Sequence, residues 1–295
     1  SDIVKTVAPN VEEHYIPHAI PTDLFKEADL GLQHTFRKQH LGIDNDRFLV
    51  FWNNRNARRK QSGSLIYWFN DFLKNLQKKD KNAKATLLMH TDPKDVNGQD
   101  LNVIVSELGL VNKEVLISPQ KVPPNALAEI YSAADCTINI ADAEGFGLAT
   151  FESLACETPV IVTMTGGLQE QVTYIERISQ EIMLKRNSKA KAVTEYEHGI
   201  GLEPTSKAII GSQDVPFIYE DRLSGKQVAD ALMTMYKYGP EKRKELGKAG
   251  RKHVLENYNF EKFTEQWKKI LTDTHEKHGS WDTRKNHKFW ELREV

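Results

Sequence analysis

A chain of 295 residues with 39% apolar and 9% aromatic residues is long enough to pack one large or two small domains. Its 40 basic and 41 acidic side chains leave a net charge of -1, which excludes a general attraction to nucleic acid or to an anionic membrane; any anion site must be local. Cys136 and Cys156 stand singly inside apolar runs, which excludes a disulfide framework or zinc knuckle, and with no ~20-residue apolar span and no signal-peptide pattern the expected location is cytoplasmic.

Pro9, Pro17 and Pro21 punctuate an opening stretch whose apolar residues have no partner helix, so residues 1–32 read as a linker rather than as part of the following domain. From Phe48 onward, short β-branched runs alternate with longer amphipathic segments. The predicted strands are Phe48 to Asn53, Ala85 to Thr91, Val115 to Pro119, Cys136 to Ala141, Pro159 to Thr163 and Pro216 to Tyr219. Predicted helices run from Ser64 to Lys78, Gln99 to Leu108, Pro124 to Ala134 and Leu148 to Cys156. Such alternation implies a parallel sheet covered by helices: an α/β, Rossmann-like doubly wound domain of about six strands, taken as residues 33–274. Residues 175–211, with Lys185, Arg186, Lys189 and Lys191, read as an excursion too long for an ordinary connection. After Gln227 the pattern is helical nearly to Thr274, broken at Gly239-Pro240 and again at Asn257-Tyr258-Asn259. Residues 275–295 form a tail whose two tryptophans, Trp281 and Trp290, point to docking on a surface.

Glu144-Gly-Phe-Gly-Leu-Ala-Thr-Phe-Glu152 follows the fourth predicted strand and opens a helix. Gly145 and Gly147 let the backbone turn sharply and let a ligand approach its N–H groups. A helix starting near Leu148 would point its first N–H groups and the positive end of its dipole into that loop, where a phosphate is stabilised. Leu148, Phe151, Leu154 and Ala155 form the expected buried stripe. Glu152 lies off that stripe, near the mouth, able to accept both hydroxyl protons of a ribose; Glu144 can accept from sugar hydroxyls on the other side of the phosphates. After the first strand, Arg55 and Lys60 can reach the same diphosphate, with Asn54 before them at an expected left-handed turn, while Arg58 and Arg59 are taken as surface residues. A glycine pair, Gly166 and Gly167, opens a third loop on the same edge, and the exposed backbone of Pro119 to Pro124 could read a base.

These residues resemble the retaining glycosyltransferases of the GT-B fold known as family 4, over Tyr15 to about Phe263. The resemblance implies that Glu152 binds ribose, that Glu144 contacts the transferred sugar, and that Arg55 and Lys60, five positions apart, neutralise the diphosphate. It further implies that the N–H groups from Gly145 through Phe146, Gly147 and Leu148 to Ala149 hold the sugar and phosphate. By the same likeness Lys121 and Val122 lie near the base, and Gly166 and Gly167 match a further glycine pair. Asn54 stands where the family has glycine, and Glu157 replaces a glycine after the helix. Tyr15 to Phe25 looks like the linker that follows the family's N-terminal acceptor domain, so such a domain is expected upstream, and with it a route to peripheral membrane attachment. The implied chemistry is metal-free transfer from a nucleoside diphosphate sugar to a hydroxyl acceptor, glycan or lipid, with retained configuration and no cofactor.

Other readings stay open. Gly145-Phe-Gly147 also begins like a dinucleotide fingerprint, though Thr150 holds the third glycine's place and the loop follows the fourth strand rather than the first. A nucleotide-sugar-binding module without turnover, or a sugar-nucleotide epimerase of the same fold, would use the same pocket.

Overall fold

The computed structural model describes residues 2–172, 193–280, 282 and 283. The chain divides into two compact units, Ile20–Glu256 and a smaller one made of Ser1–Ala19 with Asn257–Val295.

In the larger unit β1 (Phe48–Asn53) pairs in parallel with β2 (Ala85–His90), which pairs in parallel with β3 (Val115–Ser118). The chain then crosses to the other side of β1, where β4 (Cys136–Asn139) pairs through Val50↔Cys136 and continues to β5 (Val160–Thr163). The remaining strands are β6 (Val193–Glu195) and β7 (Gly199–Leu202), giving the order β3-β2-β1-β4-β5-β7-β6 with only β6 antiparallel. All four residues of β4, β5 and β7 are buried, as are five of the six in β1, as expected for strands covered on both faces. The order reverses between β1 and β4, the position at which open α/β sheets commonly place a ligand at the carboxyl ends of the strands.

The sixth expected strand was misplaced. Pro216 to Tyr219 does not join the main sheet; β9 (Tyr219–Arg222) pairs antiparallel with β8 (Ser206–Ile209) in a separate hairpin. The sheet position belongs to β7, inside the stretch expected to be an excursion. Its sequence, Gly-Ile-Gly-Leu, lacks strand propensity, but a Cβ on Gly199 would collide with the carbonyl of Val160, so close packing against β5 requires glycine there. The basic residues Lys185, Arg186, Lys189 and Lys191 lie outside the described residues.

Helix α1 (Asp2–Val7) lies in the smaller unit; in the larger one α2 (Leu30–Thr35) precedes β1 and α3 (Ser62–Lys79) follows it. Leu65, Ile66, Phe69, Phe72, Leu73 and Leu76 recur at helical spacing and are buried, while Lys78 and Lys79 complement the dipole in the last turn. The sheet's other helices are α4 (Leu101–Glu107), α5 (Pro124–Ala133), α6 (Leu148–Ala155) and α7 (Gln169–Val172). Helix α8 (Gly225–Lys237) starts in a capping box, with the Ser224 hydroxyl accepting from the Gln227 amide and the Gln227 side chain accepting in return from the Ser224 N–H; it packs on α3. Helix α9 (Gly239–Asn257) closes the unit.

In the smaller unit, α10 (Phe260–His278) is capped by the Asn259 side chain, carries an edge-to-face series of Phe260, Phe263 and Trp267, and pairs Lys277 with Glu12 at 2.9 Å. The expectation that Trp281 and Trp290 dock concerns residues outside those described.

Candidate donor site

The loop after β1 turns through a short 3-10 helix, Arg58–Lys60, into α3. Gln61, with φ 56°, makes the left-handed turn; Asn54 does not, so the expected left-handed residue was misplaced by seven positions. Asn56 is fully buried and anchors the loop, donating to the Gln99 carbonyl at 2.7 Å and accepting from the Ser62 hydroxyl at 2.6 Å. The turn sends Lys60 inward. Its side chain is only 9% exposed, and its Nζ contacts the Glu144 carboxylate, itself nearly buried. Burial and the neighbouring Arg59 guanidinium hold the Lys60 ammonium down to about 8. Arg59 donates to the Ala143 carbonyl at 2.7 Å and lies 3.6 Å from Glu144, so it belongs to the site and not merely to the surface.

Arg55 is not brought to this pair. Its guanidinium, 65% exposed, holds Asp95 on the loop after β2 through two hydrogen bonds, of 2.6 and 3.2 Å. The same contact keeps the Asp95 carboxyl well below the usual carboxylate range.

After β4 the chain runs through Glu144 and Gly145 into Gly147, whose φ of 86° starts α6 with no side chain capping that helix end. A Cβ on Gly147 would lie 2.6 Å from Gln171 Nε2 and 2.7 Å from Leu168; one on Gly145 would meet nothing within 4 Å. Gly147 is thus required by packing, and Gly145 leaves open space beside the loop. Gly166 and Gly167 brace this loop from behind. Gly167 N–H donates to the Glu144 carbonyl at 3.1 Å, and a Cβ on Gly167 would fall 2.5 Å from the Gly145 carbonyl. Gln171 completes the brace, its Nε2 donating to the carbonyls of Phe146 at 2.8 Å and Gly147 at 2.9 Å. The Phe146 and Gly147 carbonyls are thus engaged by Gln171. Phe146 stacks on Phe151 at 4.7 Å, and Phe151 continues to His253 and His198.

Leu148 departs from the expected buried stripe, being 48% exposed at the first turn of α6; Phe151, Leu154 and Ala155 are buried as expected. Ala149 beside it is half-buried. Glu157, with φ 60°, occupies a left-handed position, the physical reason a glycine is favoured there. Glu152 is half-buried and receives a hydrogen bond of 2.8 Å from the Tyr131 hydroxyl, while burial raises its carboxyl's pKa. Lys121, exposed, and Val122, half-buried, follow β3 at the same sheet edge.

Sequence reasoning missed several contributors. Arg58, read as a surface residue, forms a fork with Glu220 at 2.7 and 2.8 Å. Arg222 joins Glu220 to buried Asp142, and Gln61 donates to Asp142 at 2.6 Å, so the β8–β9 hairpin is latched to the loop that carries Glu144. These partners lie about 80 to 160 residues apart, and no local pattern could signal them. Among the described residues no group of three or more His, Cys, Asp or Glu side chains is arranged to hold a metal, and no helix is long and apolar enough to cross a membrane.

The chain belongs to the glycosyl transferases group 1 family, whose model matches residues 35–196, more than half of its length. It is 39% identical over 72 residues to a D-inositol 3-phosphate glycosyltransferase of Acidothermus cellulolyticus, covering 24% of this chain and 16% of that protein. The sucrose-phosphate synthase of Thermosynechococcus elongatus superposes with a TM-score of 0.65 at 21% identity, covering 93% of this chain and 56% of that one. The Anabaena protein HepE, solved in complex with UDP and glucose, gives 0.61 at 16% identity, covering 88% and 57%. The chain therefore spans little more than half the length of these solved proteins, and its α/β architecture with a parallel-dominated sheet and C-terminal helices is that of GT-B glycosyltransferases.

Proposed function

We propose that this chain is the donor-binding half of a retaining glycosyltransferase that moves a sugar from a nucleoside diphosphate sugar to a hydroxyl acceptor. The observation that carries this is the meeting of a buried ammonium, Lys60, with a nearly buried carboxylate, Glu144, from the loops after the two strands at the switch point of the sheet, beside a helix start with no side-chain cap. A charged pair held there costs desolvation, and the group that repays it most fully is a polyanion carrying hydroxyls. On binding, the diphosphate takes Lys60 and the N–H groups of Gly145 to Ala149, and Arg55 exchanges Asp95 for a phosphate oxygen. Glu144, released from Lys60, accepts from the hydroxyls of the transferred sugar, and Glu152 accepts from the ribose. Lys121 and Val122 flank the base, while Gly166 and Gly167 keep the loop in place. The bond from the anomeric carbon to the diphosphate breaks as the acceptor oxygen attaches on the same face, its proton passing to the departing phosphate. Negative charge grows on that leaving group in the transition state, so its cationic partners lower the barrier without a metal. The HepE complex with UDP and glucose supports this class of donor, and the relatives named for inositol phosphate support a hydroxyl acceptor. The acceptor is assigned to a separate N-terminal domain, and the location to the cytoplasm.

The test is a thermal-shift panel of uridine, guanosine and adenosine diphosphate sugars, followed by anomeric-proton NMR of the product formed by the full-length protein. One base is expected to raise the melting temperature, because a ligand specific to the folded state stabilises it, and the product should keep the donor's configuration. No shift with any donor, or an inverted product, would contradict the proposal.

A further inference from the structure

We infer that Tyr131, steadied by Asn53, is a positioning residue that aims Glu152 at a ribose hydroxyl and so makes the site prefer ribonucleotides to deoxyribonucleotides. The inference rests on the donor-site reading above and adds to it a pair of residues that touch no substrate.

Tyr131 lies on α5 and is fully buried. Its ring is wedged edge-on between Phe51, with centroids 5.0 Å apart, and Phe25, at 6.2 Å, so the phenol has little freedom to swing. Its oxygen makes two hydrogen bonds of 2.8 Å, one with Asn53 Nδ2 and one with Glu152 Oε2. The directions are forced. An amide nitrogen only donates, so the phenol oxygen accepts from Asn53, and the single phenolic proton is left for Glu152. Deep burial keeps that phenol protonated. Glu152 Oε2 is thereby occupied as an acceptor, which fixes the carboxylate plane and leaves Oε1 for a further donor. Asn53 is the last residue of β1, directly before the loop of Arg55 and Lys60, while Glu152 lies on the helix after β4. The relay therefore ties the two sides of the crevice together and sets where the pentose must lie relative to the diphosphate.

The experiment compares calorimetric dissociation constants of UDP, GDP and ADP with those of their 2′-deoxy forms for wild type, Tyr131→Phe and Asn53→Ala. Wild type should prefer the ribo form of its best base by roughly tenfold, the worth of one hydrogen bond to a charged acceptor. In Tyr131→Phe the preference should shrink to about twofold through loss of ribonucleotide affinity alone, and Asn53→Ala should fall between, since a hydrogen bond to a loosened carboxylate contributes less. An unchanged ratio in both variants, or equal weakening of ribo and deoxy forms, would overturn the inference while leaving the donor site standing. If none of the three diphosphates binds wild type, the donor-site reading itself fails, and the inference with it.

Discussion

In the proposed reaction Lys60 is the central cation, and its surroundings give a pH dependence with a definite sign. Its ammonium is held down to about 8 by burial and Arg59, so below that pH it meets a diphosphate already charged, and above it each binding event must first take up a proton. Calorimetric affinity for the nucleoside diphosphate is therefore expected to fall as pH rises through 8, whereas Lys60→Arg should flatten the profile. An unchanged profile in that variant would remove Lys60 from the site. Arg55 and Asp95 give a paired prediction. Because Asp95 competes for the guanidinium, Asp95→Ala should tighten diphosphate binding a few-fold, and Arg55→Ala should weaken it while leaving the free nucleoside unaffected. His253 supplies a stability prediction. It is buried, stacks on His198 at 4.6 Å and donates from Nε2 to the Glu170 carbonyl at 2.9 Å, with Glu197 and Glu256 acting weakly in the opposite sense to burial. Its folded-state pKa is lowered to about 4 from 6.5, mainly by burial and then by His198, so the unfolded chain binds the proton first as pH falls. Stability is thus full above about 6.5 and is lost between 6.5 and 4, by roughly 3 kcal/mol in all. His253→Gln should flatten the melting temperature across that window, and an unaltered slope would contradict the assignment.

At the scale of elements, the three loops at the sheet edge behave as one unit, with the third supporting the second. Gly167→Ala would push a methyl group into the Gly145 carbonyl and the Phe146 Cα, 2.5 and 2.7 Å away. The expected outcome is donor binding reduced at least tenfold with circular dichroism unchanged, because the loop and not the sheet must shift; wild-type affinity would show that the brace is dispensable. The first five strands and the four helices among them were legible because each buried face leaves a strong apolar pattern in the sequence, as in Phe48 to Trp52 and Leu65 to Leu76. β7 was illegible because its place is secured by the absence of side chains at Gly199, a fact about the neighbouring Val160 carbonyl. Pro216 to Tyr219 misled for the opposite reason, presenting strand-forming residues that are largely exposed in a hairpin. The same contrast holds in the site. The contact between Lys60 and Glu144 joins two residues that the sequence had already singled out, whereas Tyr131 resembles any core aromatic until its hydroxyl is seen between Asn53 and Glu152.

For the larger unit as a whole, topology brings the candidate site together. Strands β1 and β4 are neighbours in space but separated in sequence by the β2 and β3 excursion, so the loop rich in cations and the loop rich in glycines emerge side by side only once the sheet is complete. The Asp142, Arg222, Glu220 and Arg58 network then fastens the β8–β9 hairpin to the same edge. The most direct test of this account is calorimetry of Lys60→Met with a nucleoside diphosphate and with the corresponding free nucleoside. Diphosphate affinity should drop by at least about tenfold, the worth of a charge-assisted hydrogen bond, while the nucleoside binds as to wild type. Equal losses for the two ligands, or none for the diphosphate, would contradict a site built around Lys60 and the start of α6.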